Sequence, residues 1–423
     1  MQLTQFQSTN CPSYALLEWL MTAGIDCSVM RINDLNNGER QLVATRTIHA
    51  GEKLLTLPRS HLMSVGLARQ SDIGEKLAQA GGKEGHALLS AYLLQENNRE
   101  NSFWAPYLEM LPTHFNHIPL FYSTDMLSQL QGSPVIEMIL MRRFTLEQDY
   151  HRLRELPEMK DVTLVQYMWA RTAINSRCFT LNGEVVLAPL LDMANHMSSP
   201  NSLWQQNKEK NALVLVSQDN IAAGEEITVS YGRKSNRRLF ASYGFVHDDS
   251  RFNSARITVS LDVADPLIAE KMALMEIENY ALDIDIGPGE PEGFLKALMF
   301  LRISTSKCLQ SELACYQKPR TKLDEILVLQ AFLQTCQQML ALYDSNEVTQ
   351  VPHRGGQNIA DCKKFLAQEK QTLKHYVSFV STALTFLTHG KRIDYIQQEL
   401  ETRYQRDLLA LFEEQQIDNV SRY

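Results

Sequence analysis

Two segments place polar side chains within otherwise apolar sequence: LAPLLDMANHMSSPN at residues 187–201 and ITVSYGRKSNRRLFASYGFV at residues 227–246. The first contains a carboxylate, an amide and an imidazole, on Asp192, Asn195 and His196. Burying such groups among leucines is unfavourable by several kcal/mol unless each is paired. The pattern therefore predicts a polar site. Taken singly, an Asn-His pair is also typical of a satisfied core cap, and a Tyr-Gly pair of a turn.

Common catalytic signatures are absent from the sequence. It contains no Walker A loop, no H-E-x-x-H, no G-x-S-x-G and no G-x-G-x-x-G after a strand, which argues against the familiar hydrolase and nucleotide-binding classes. The seven cysteines stand alone without C-x-x-C or C-x-C spacing, so we expect neither a disulfide framework nor a metal site.

Together and in this order, the motifs resemble the SET-domain protein methyltransferases. They match the branch with a helical insert and a Rubisco-methyltransferase-type C-terminal substrate-binding domain, which includes the actin-histidine methyltransferase. The matching segments are QLVATRTIHAGEKLLTLPRSHLM, NSFWAPYLEMLP, INSRCF, LLDMANH and the final SYG and SYGFV. The resemblance implies an enzyme that uses S-adenosyl-L-methionine to methylate a protein.

The resemblance implies a role for each matching residue. Asn195 and His196 would hold the adenine and amino-acid ends of the cofactor, and Arg177 would reach its charged end. Phe245 would form a wall beside the adenine. The other residues implied to contact the cofactor are Gly38, Glu39, Arg40, Asp192, Met193, Ala194, Tyr231, Ser242 and Gly244.

Tyr231 resembles the catalytic tyrosine of the family, whose hydroxyl lies against the methyl group and the attacking nitrogen. Methyl transfer from a sulfonium needs alignment and dehydration rather than a metal. One departure concerns the cofactor turn: the family usually shows Glu-Gly-x-Gly before Leu-x-Ala-Thr, whereas this chain has N-N-G-E-R-Q before Leu42. If Gln41 replaces the second glycine, the backbone there stands farther from the cofactor.

Two positions of the substrate channel indicate which residue type accepts the methyl group. At these positions the actin-histidine enzyme has an asparagine and a tryptophan. This chain has Phe179 and Leu191 instead, and an apolar Phe179 cannot hold an imidazole nitrogen. We therefore favour lysine over histidine as the acceptor, on a non-histone protein substrate. Tyr243 would be a further wall of the channel, or would simply pack in the core. A catalytically inactive SET-like binding scaffold remains a different class of function.

The elements that position these residues are predicted from hydrophobic periodicity. Three short strands come first, within SVMRI, RQLVAT and KLLTLP, and a helical insert follows at about residues 61–180. Thr163 and Gln166 form a capping-box pair before a helix that should end near Arg177. Short strands return in EVVLAP, ALVLVS and EEITVSY.

Beyond RITVSL the pattern becomes helical to the C-terminus. We predict an α+β protein: a SET methyltransferase domain at residues 1–254, with a β-fold of short strands, and an all-α Rubisco-methyltransferase-type substrate-binding domain at residues 255–423. Apolar residues three and four apart in the helices indicate core packing rather than a recruitment surface.

The composition of the chain limits the kinds of partner that we expect it to bind. A net charge of −8 with interspersed signs argues against nucleic acid, and the apolar stretches are too short to span a bilayer. We expect a monomer that binds its protein substrate in a cleft between the two domains. The N-terminus lacks a secretory signal, so we expect a cytoplasmic location, extending to the nucleus, or delivery into a host cell if the source is a bacterium.

Overall fold

The computed structural model describes residues 11–35, 40–79, 85–248, 252–289, 291–344 and 356–389, together with Tyr404 and Leu408. Its α-helices are, in chain order, α1 (Pro12–Thr22), α2 (Val65–Arg69), α3 (Asp72–Gln79), α4 (Gly85–Asn97), α5 (Ala105–Leu108), α6 (Thr124–Ser128), α7 (Val135–Arg154), α8 (Leu164–Arg177), α9 (Asn236–Tyr243), α10 (Ile268–Met275), α11 (Pro291–Thr305), α12 (Lys322–Asp344) and α13 (Gly356–His389).

The strands are short. They are β1 (Met30–Asp34), β2 (Arg40–Ala44), β3 (Lys53–Pro58), β4 (Met63–Ser64), β5 (Cys178–Leu181), β6 (Glu184–Leu187), β7 (Asn195–His196), β8 (Ser202–Asn207), β9 (Ala212–Ser217), β10 (Thr228–Val229), β11 (Ala255–Ser260) and β12 (Ala281–Ile286).

The chain divides into two compact units. The first comprises residues 1–121 and 139–233, and the second comprises residues 122–138 and 234–423. The domain limits predicted at residues 254 and 255 stay predictions.

Small sheets form the β-structure of the first unit. β1 pairs antiparallel with β2, β9 lies between β3 and β8, and β6 lies between β4 and β5. β7 and β10 are instead parallel, with Asn195 opposite Thr228 and His196 opposite Val229. Because parallel strands need a long connection, this pairing joins segments that are distant in sequence.

Local sequence explains the helix that leads into the candidate site. The Thr163 side chain accepts from the backbone of Gln166, and the Gln166 side chain accepts from the backbone of Thr163, so the predicted capping box is confirmed. α8 ends at Arg177, as predicted. It contacts α4, and its buried Ala170, Ala173 and Ile174 belong to the core of this unit.

The second unit is mainly helical. Its core forms where α11, α12 and α13 pack together, with Phe294, Phe332 and Tyr376 in aromatic contact. The α+β class and the helical C-terminal region are confirmed. The all-α expectation is corrected in one respect, because β11 and β12 form an antiparallel sheet whose alternate residues Ile257, Val259 and Ile284 are buried in the same core.

Among the described residues, α12 is long and apolar enough to meet the length and composition of a membrane-spanning helix. Its buried Val328, Leu329, Phe332 and Cys336 pack in the core of the second unit. One such helix is weak evidence for a membrane span, since core helices pass the same test.

Candidate functional site

A strained turn brings the motif LLDMANH to the surface of the first unit. β6 ends at Leu187, and Leu190 then adopts a left-handed conformation with φ of 71°, which is unfavourable for a branched side chain. A single 3₁₀ turn, Leu191–Met193, leads from there into β7. Leu191, Met193 and Ala194 are buried, whereas Asn195 is exposed and His196 half-buried. The buried apolar residues of the turn therefore hold Asn195 and His196 at the surface.

The pairing of β7 with β10 brings Tyr231 to this turn. The backbone N–H of Tyr231 donates to His196 Nδ1 at 3.1 Å, and the two rings stack with centroids 5.2 Å apart. The Tyr231 hydroxyl donates to the backbone carbonyl of Ala194 at 3.1 Å. Gly232 follows with φ of 97°, a conformation that glycine adopts without strain. These contacts fix the position of the predicted catalytic hydroxyl.

Burial raises the pKa of Tyr231 to about 12, while the positive charge of Arg177 lowers it and the negative charges of Asp192 and Glu226 raise it. The hydroxyl is therefore protonated throughout the neutral range. In this state it can form hydrogen bonds but cannot serve as a base.

Hydrogen bonds connect Asn195 to the predicted cofactor turn, in part through Glu226, which the sequence did not predict as a site residue. The amide nitrogen of Asn195 donates to the Arg40 carbonyl and to Glu226 Oε1, both at 2.8 Å. Gln41 Nε2 donates to Glu226 Oε2 at 3.1 Å. Arg40 is itself paired with Asp34 at 3.0 Å. Gly38 and Glu39 lie outside the described residues.

A second missed residue, Tyr107 on α5, completes a buried polar group around Asp192. The Tyr107 hydroxyl donates to Asp192 Oδ2 at 2.7 Å. Arg177 Nη1 lies 3.7 Å from the same oxygen and donates to the Asp192 backbone carbonyl at 2.9 Å. The only sequence signal for Tyr107 was its place in the motif NSFWAPYLEMLP.

The pKa of Asp192 is raised to about 6, because burial outweighs the lowering effects of Arg177 and Tyr107. Its side chain has no exposed surface, whereas that of Arg177 is 18% exposed. The carboxylate thus titrates close to neutrality, which is a property of many functional sites.

The predicted channel residues have different environments. Phe179 lies on β5 opposite Val186, is half-buried, and meets the Trp204 ring edge to face with centroids 5.2 Å apart. Trp204 is a further residue that sequence reasoning missed. Leu191 is fully buried in the core, and its role as a channel wall stays a prediction.

Four predicted residues, Ser242, Tyr243, Gly244 and Phe245, belong to the second unit. Ser242 and Tyr243 form the last residues of α9, and Gly244 caps this helix in the left-handed region with φ of 79°. The rings of Tyr243 and Phe245 lie 6.0 Å apart. Their roles at the cofactor and the channel stay predictions.

Residues 39–232 match the family model described as the SET domain. The actin-histidine N-methyltransferase of Gallus gallus is 27% identical over 281 residues, which cover 62% of this chain and 46% of that protein. The chloroplastic fructose-bisphosphate aldolase-lysine N-methyltransferase of Arabidopsis thaliana is 29% identical over 285 residues, covering 62% and 58%. The match thus spans about half the length of these curated relatives.

Two solved structures show the same fold. Rubisco LSMT bound to AdoMet has a TM-score of 0.74 and 19% sequence identity, covering 92% of this chain and 96% of that chain. The SET domain of LSMT bound to lysine and AdoHcy has a TM-score of 0.73 and 19% identity, covering 93% and 96%. This likeness confirms the expected architecture.

Proposed function

We propose that this protein, whose residues 39–232 match the SET-domain family model, is an S-adenosylmethionine-dependent protein methyltransferase. The observation that carries the proposal is the fixed position of the Tyr231 hydroxyl, held by the Ala194 carbonyl beside the ring of His196. A binding scaffold would not need this side-chain arrangement. The relatives that match the chain are methyltransferases of protein histidine or lysine, which supports the same class.

The polar groups of the site suit a cofactor with a sulfonium, an adenine and an amino-acid group. Arg177 Nε is buried and has no hydrogen-bond partner among the described residues, so it can donate to a carboxylate. We assign Arg177 to that end of the cofactor. Asn195 and His196 would hold it together with Arg40 of the turn, and Ser242, Gly244 and Phe245 would lie at its adenine. S-adenosylmethionine supplies an electrophilic methyl group when bound.

In this proposal Tyr231 orients the acceptor. The Tyr231 hydroxyl proton is directed to the Ala194 carbonyl. The lone pairs of the Tyr231 oxygen can therefore accept a hydrogen bond from the substrate amine. The high pKa of about 12 keeps the hydroxyl neutral. Tyr231 can therefore align a neutral amine without removing its proton.

A lysine acceptor must lose a proton before it attacks, since its reference pKa is about 10.4. An apolar aromatic channel and a neighbouring sulfonium both favour the neutral amine, because each disfavours a further positive charge. No carboxylate is assigned as the base, and the proton can leave through water.

We propose lysine as the acceptor on the basis of Phe179. This ring packs edge to face with Trp204, so the pair presents an aromatic surface suited to an aliphatic lysine stem and its amine. Phe179 has no polar atom that would hold an imidazole nitrogen. The alternative acceptor is histidine, which is supported by the similarity to the actin-histidine N-methyltransferase.

The test is incubation of the purified protein with tritiated S-adenosylmethionine and a proteome extract, followed by location of the added mass in labelled peptides. Label on lysine supports the proposal, and label on histidine favours the alternative acceptor. Calorimetry with the cofactor addresses the scaffold: no heat at high protein concentration, together with no label, would contradict an enzymatic function.

We further propose that the protein acts as a monomer on a protein substrate, with the helical second unit contributing to substrate binding. Two observations support a protein substrate: the net charge of −8 disfavours nucleic acid, and this unit resembles a substrate-binding domain. A cytoplasmic location is proposed because the seven cysteines are unpaired, as is usual in a reducing compartment.

A further inference from the structure

Tyr107 is a fully buried tyrosine whose hydroxyl points at a carboxylate of the candidate site. It lies on α5, is 0% exposed, and donates to Asp192 Oδ2 at 2.7 Å. A buried tyrosine hydroxyl requires a partner, and most find a neutral backbone carbonyl or an ordered water. Tyr107 instead binds the charged group next to the proposed cofactor residues.

The carboxylate that Tyr107 holds is only partly satisfied by Arg177. The shortest separation between the two charged groups is 3.7 Å, and Arg177 Nη1 donates to the Asp192 backbone carbonyl at 2.9 Å. Asp192 Oδ1 and Arg177 Nε are both buried and have no hydrogen-bond partner among the described residues. Buried polar atoms in this state are unfavourable, so the geometry is not optimised for stability.

This group is coupled to the proposed catalytic hydroxyl. Ala194, which accepts the Tyr231 hydroxyl, follows Asp192 by two residues in the same turn. The charges of Arg177 and Asp192 both act on Tyr231. If Asp192 were neutral, only the carboxylate of the bound cofactor would offset the positive charge of Arg177 beside the sulfonium, and like charges repel.

We propose that Tyr107 is a positioning residue of the methyl-transfer site, which holds the Asp192 carboxylate in its charged form so that the carboxylate offsets Arg177. This inference rests on the proposed methyltransferase function. The groups that act on Asp192 are Arg177 from α8 and Tyr107 from α5, while the Cys178 thiol at the start of β5 acts on Tyr107.

The variant Tyr107→Phe tests the proposal through the pH dependence of methyl transfer. The Tyr107 hydrogen bond lowers the pKa of Asp192, so its removal raises that pKa above about 6. For a shift of about one pKa unit, the rate relative to wild type should fall roughly threefold at pH 6.5 and approach tenfold below pH 5.5. At pH 9 the two rates should agree within about twofold. The ionisation of the substrate lysine cancels in this ratio.

A second readout uses the protein without cofactor or substrate. Because the higher pKa makes ionisation of Asp192 in the folded state less favourable, the melting temperature deficit of Tyr107→Phe should grow between pH 5 and pH 8. The activity deficit should change with pH in the opposite direction. The matched control is Tyr150→Phe, which removes a buried hydroxyl that donates to the Val162 carbonyl at 3.0 Å and should show neither trend.

Equal losses of activity at every pH, with a constant melting temperature deficit, would overturn the positioning role. If Tyr107→Phe does not fold, Asp192→Asn serves instead, and unchanged activity with an unchanged acid limb in that variant would also overturn it. Failure of the proposed function is distinct, because wild-type protein would then show no methyl transfer while the melting temperatures would still report on Tyr107 and Asp192.

Discussion

Each of the two units contains a buried group of one arginine, one carboxylate and one tyrosine, and the two groups differ in how completely they are paired. In the second unit, Arg302 donates two hydrogen bonds to Glu325, at 2.9 and 2.7 Å, and the Tyr404 hydroxyl donates to the same carboxylate at 2.6 Å. In the first unit, Arg177 lies 3.7 Å from Asp192, and Tyr107 donates one hydrogen bond to the carboxylate side chain.

We interpret the difference as that between a group that stabilises the fold and one that belongs to the proposed site. Arg302 also donates to the Tyr316 and Gln317 carbonyls, so its pairing joins α11, α12 and the segment before α12. A bidentate pair of this kind compensates much of the desolvation of its charges. Within the described part of the chain, Asp192 Oδ1 and Arg177 Nε have no hydrogen-bond partner, which fits their proposed place beside a ligand.

The largest effect is expected for Glu325→Ala. This change leaves the buried Arg302 charge without its partner, so we expect a loss of about 3–5 kcal/mol in the free energy of unfolding, measured by urea titration. The double variant Arg302→Met with Glu325→Leu should recover much of this loss, because it removes both charges. A single variant as stable as wild type would show that the pair is not structural.

The difference in unfolding free energy between wild type and Asp192→Asn should depend on pH. The folded-state pKa of Asp192, about 6, lies above its ordinary value of 3.8, so the folded state favours the protonated form. The associated stability is present below about pH 4 and is lost as pH rises through 6. Relative to Asp192→Asn, wild type should therefore lose up to about 3 kcal/mol over this range. A pH-independent difference between the two proteins would contradict the raised pKa.

Tyr231→Phe should separate activity from stability. Without the hydroxyl, the acceptor loses its orientation, and we expect the rate of methyl transfer to fall by about 100-fold or more, equivalent to about 2.7 kcal/mol of barrier. Cofactor binding, measured by calorimetry, should remain largely unchanged. Full activity in this variant would remove Tyr231 from the proposed mechanism.

Tyr404→Phe should give the smallest effect and is the counterpart of the change at Tyr107. The hydroxyl donates to a charged but otherwise well-paired carboxylate, so we expect a loss of about 1–2 kcal/mol in unfolding free energy. The pH profile of methyl transfer should match wild type. A shifted profile would show that the two tyrosine groups do not differ in the way proposed.

Elements with a strong local pattern could be predicted from the sequence. The helix after Thr163 was predicted because its capping box and its apolar periodicity lie within a few residues of each other, and the structure confirms both its cap and its end at Arg177. The strands β1, β2 and β3 were predicted from short apolar runs between polar turns.

Contacts between distant segments could not be predicted in this way. Glu226 precedes a strand of two residues and has the pattern of a surface side chain, yet it binds both Asn195 and Gln41. Tyr107 and Asp192 are likewise 85 residues apart. Nothing in the local pattern of either residue specifies its partner, because propensity and periodicity report only on near neighbours.

The sequence alone determined the chemical inventory: the motif around Asp192 and His196, the tyrosine at position 231 and the order of the elements that carry them. Only the tertiary structure decided which of these groups lie close enough to form hydrogen bonds and to shift each other's pKa. The parallel pairing of β7 with β10 places Tyr231 on Ala194 and His196, and burial raises the pKa of Asp192 beside Arg177 and Tyr107. Both effects depend on desolvation and distance, which arise when remote segments pack together.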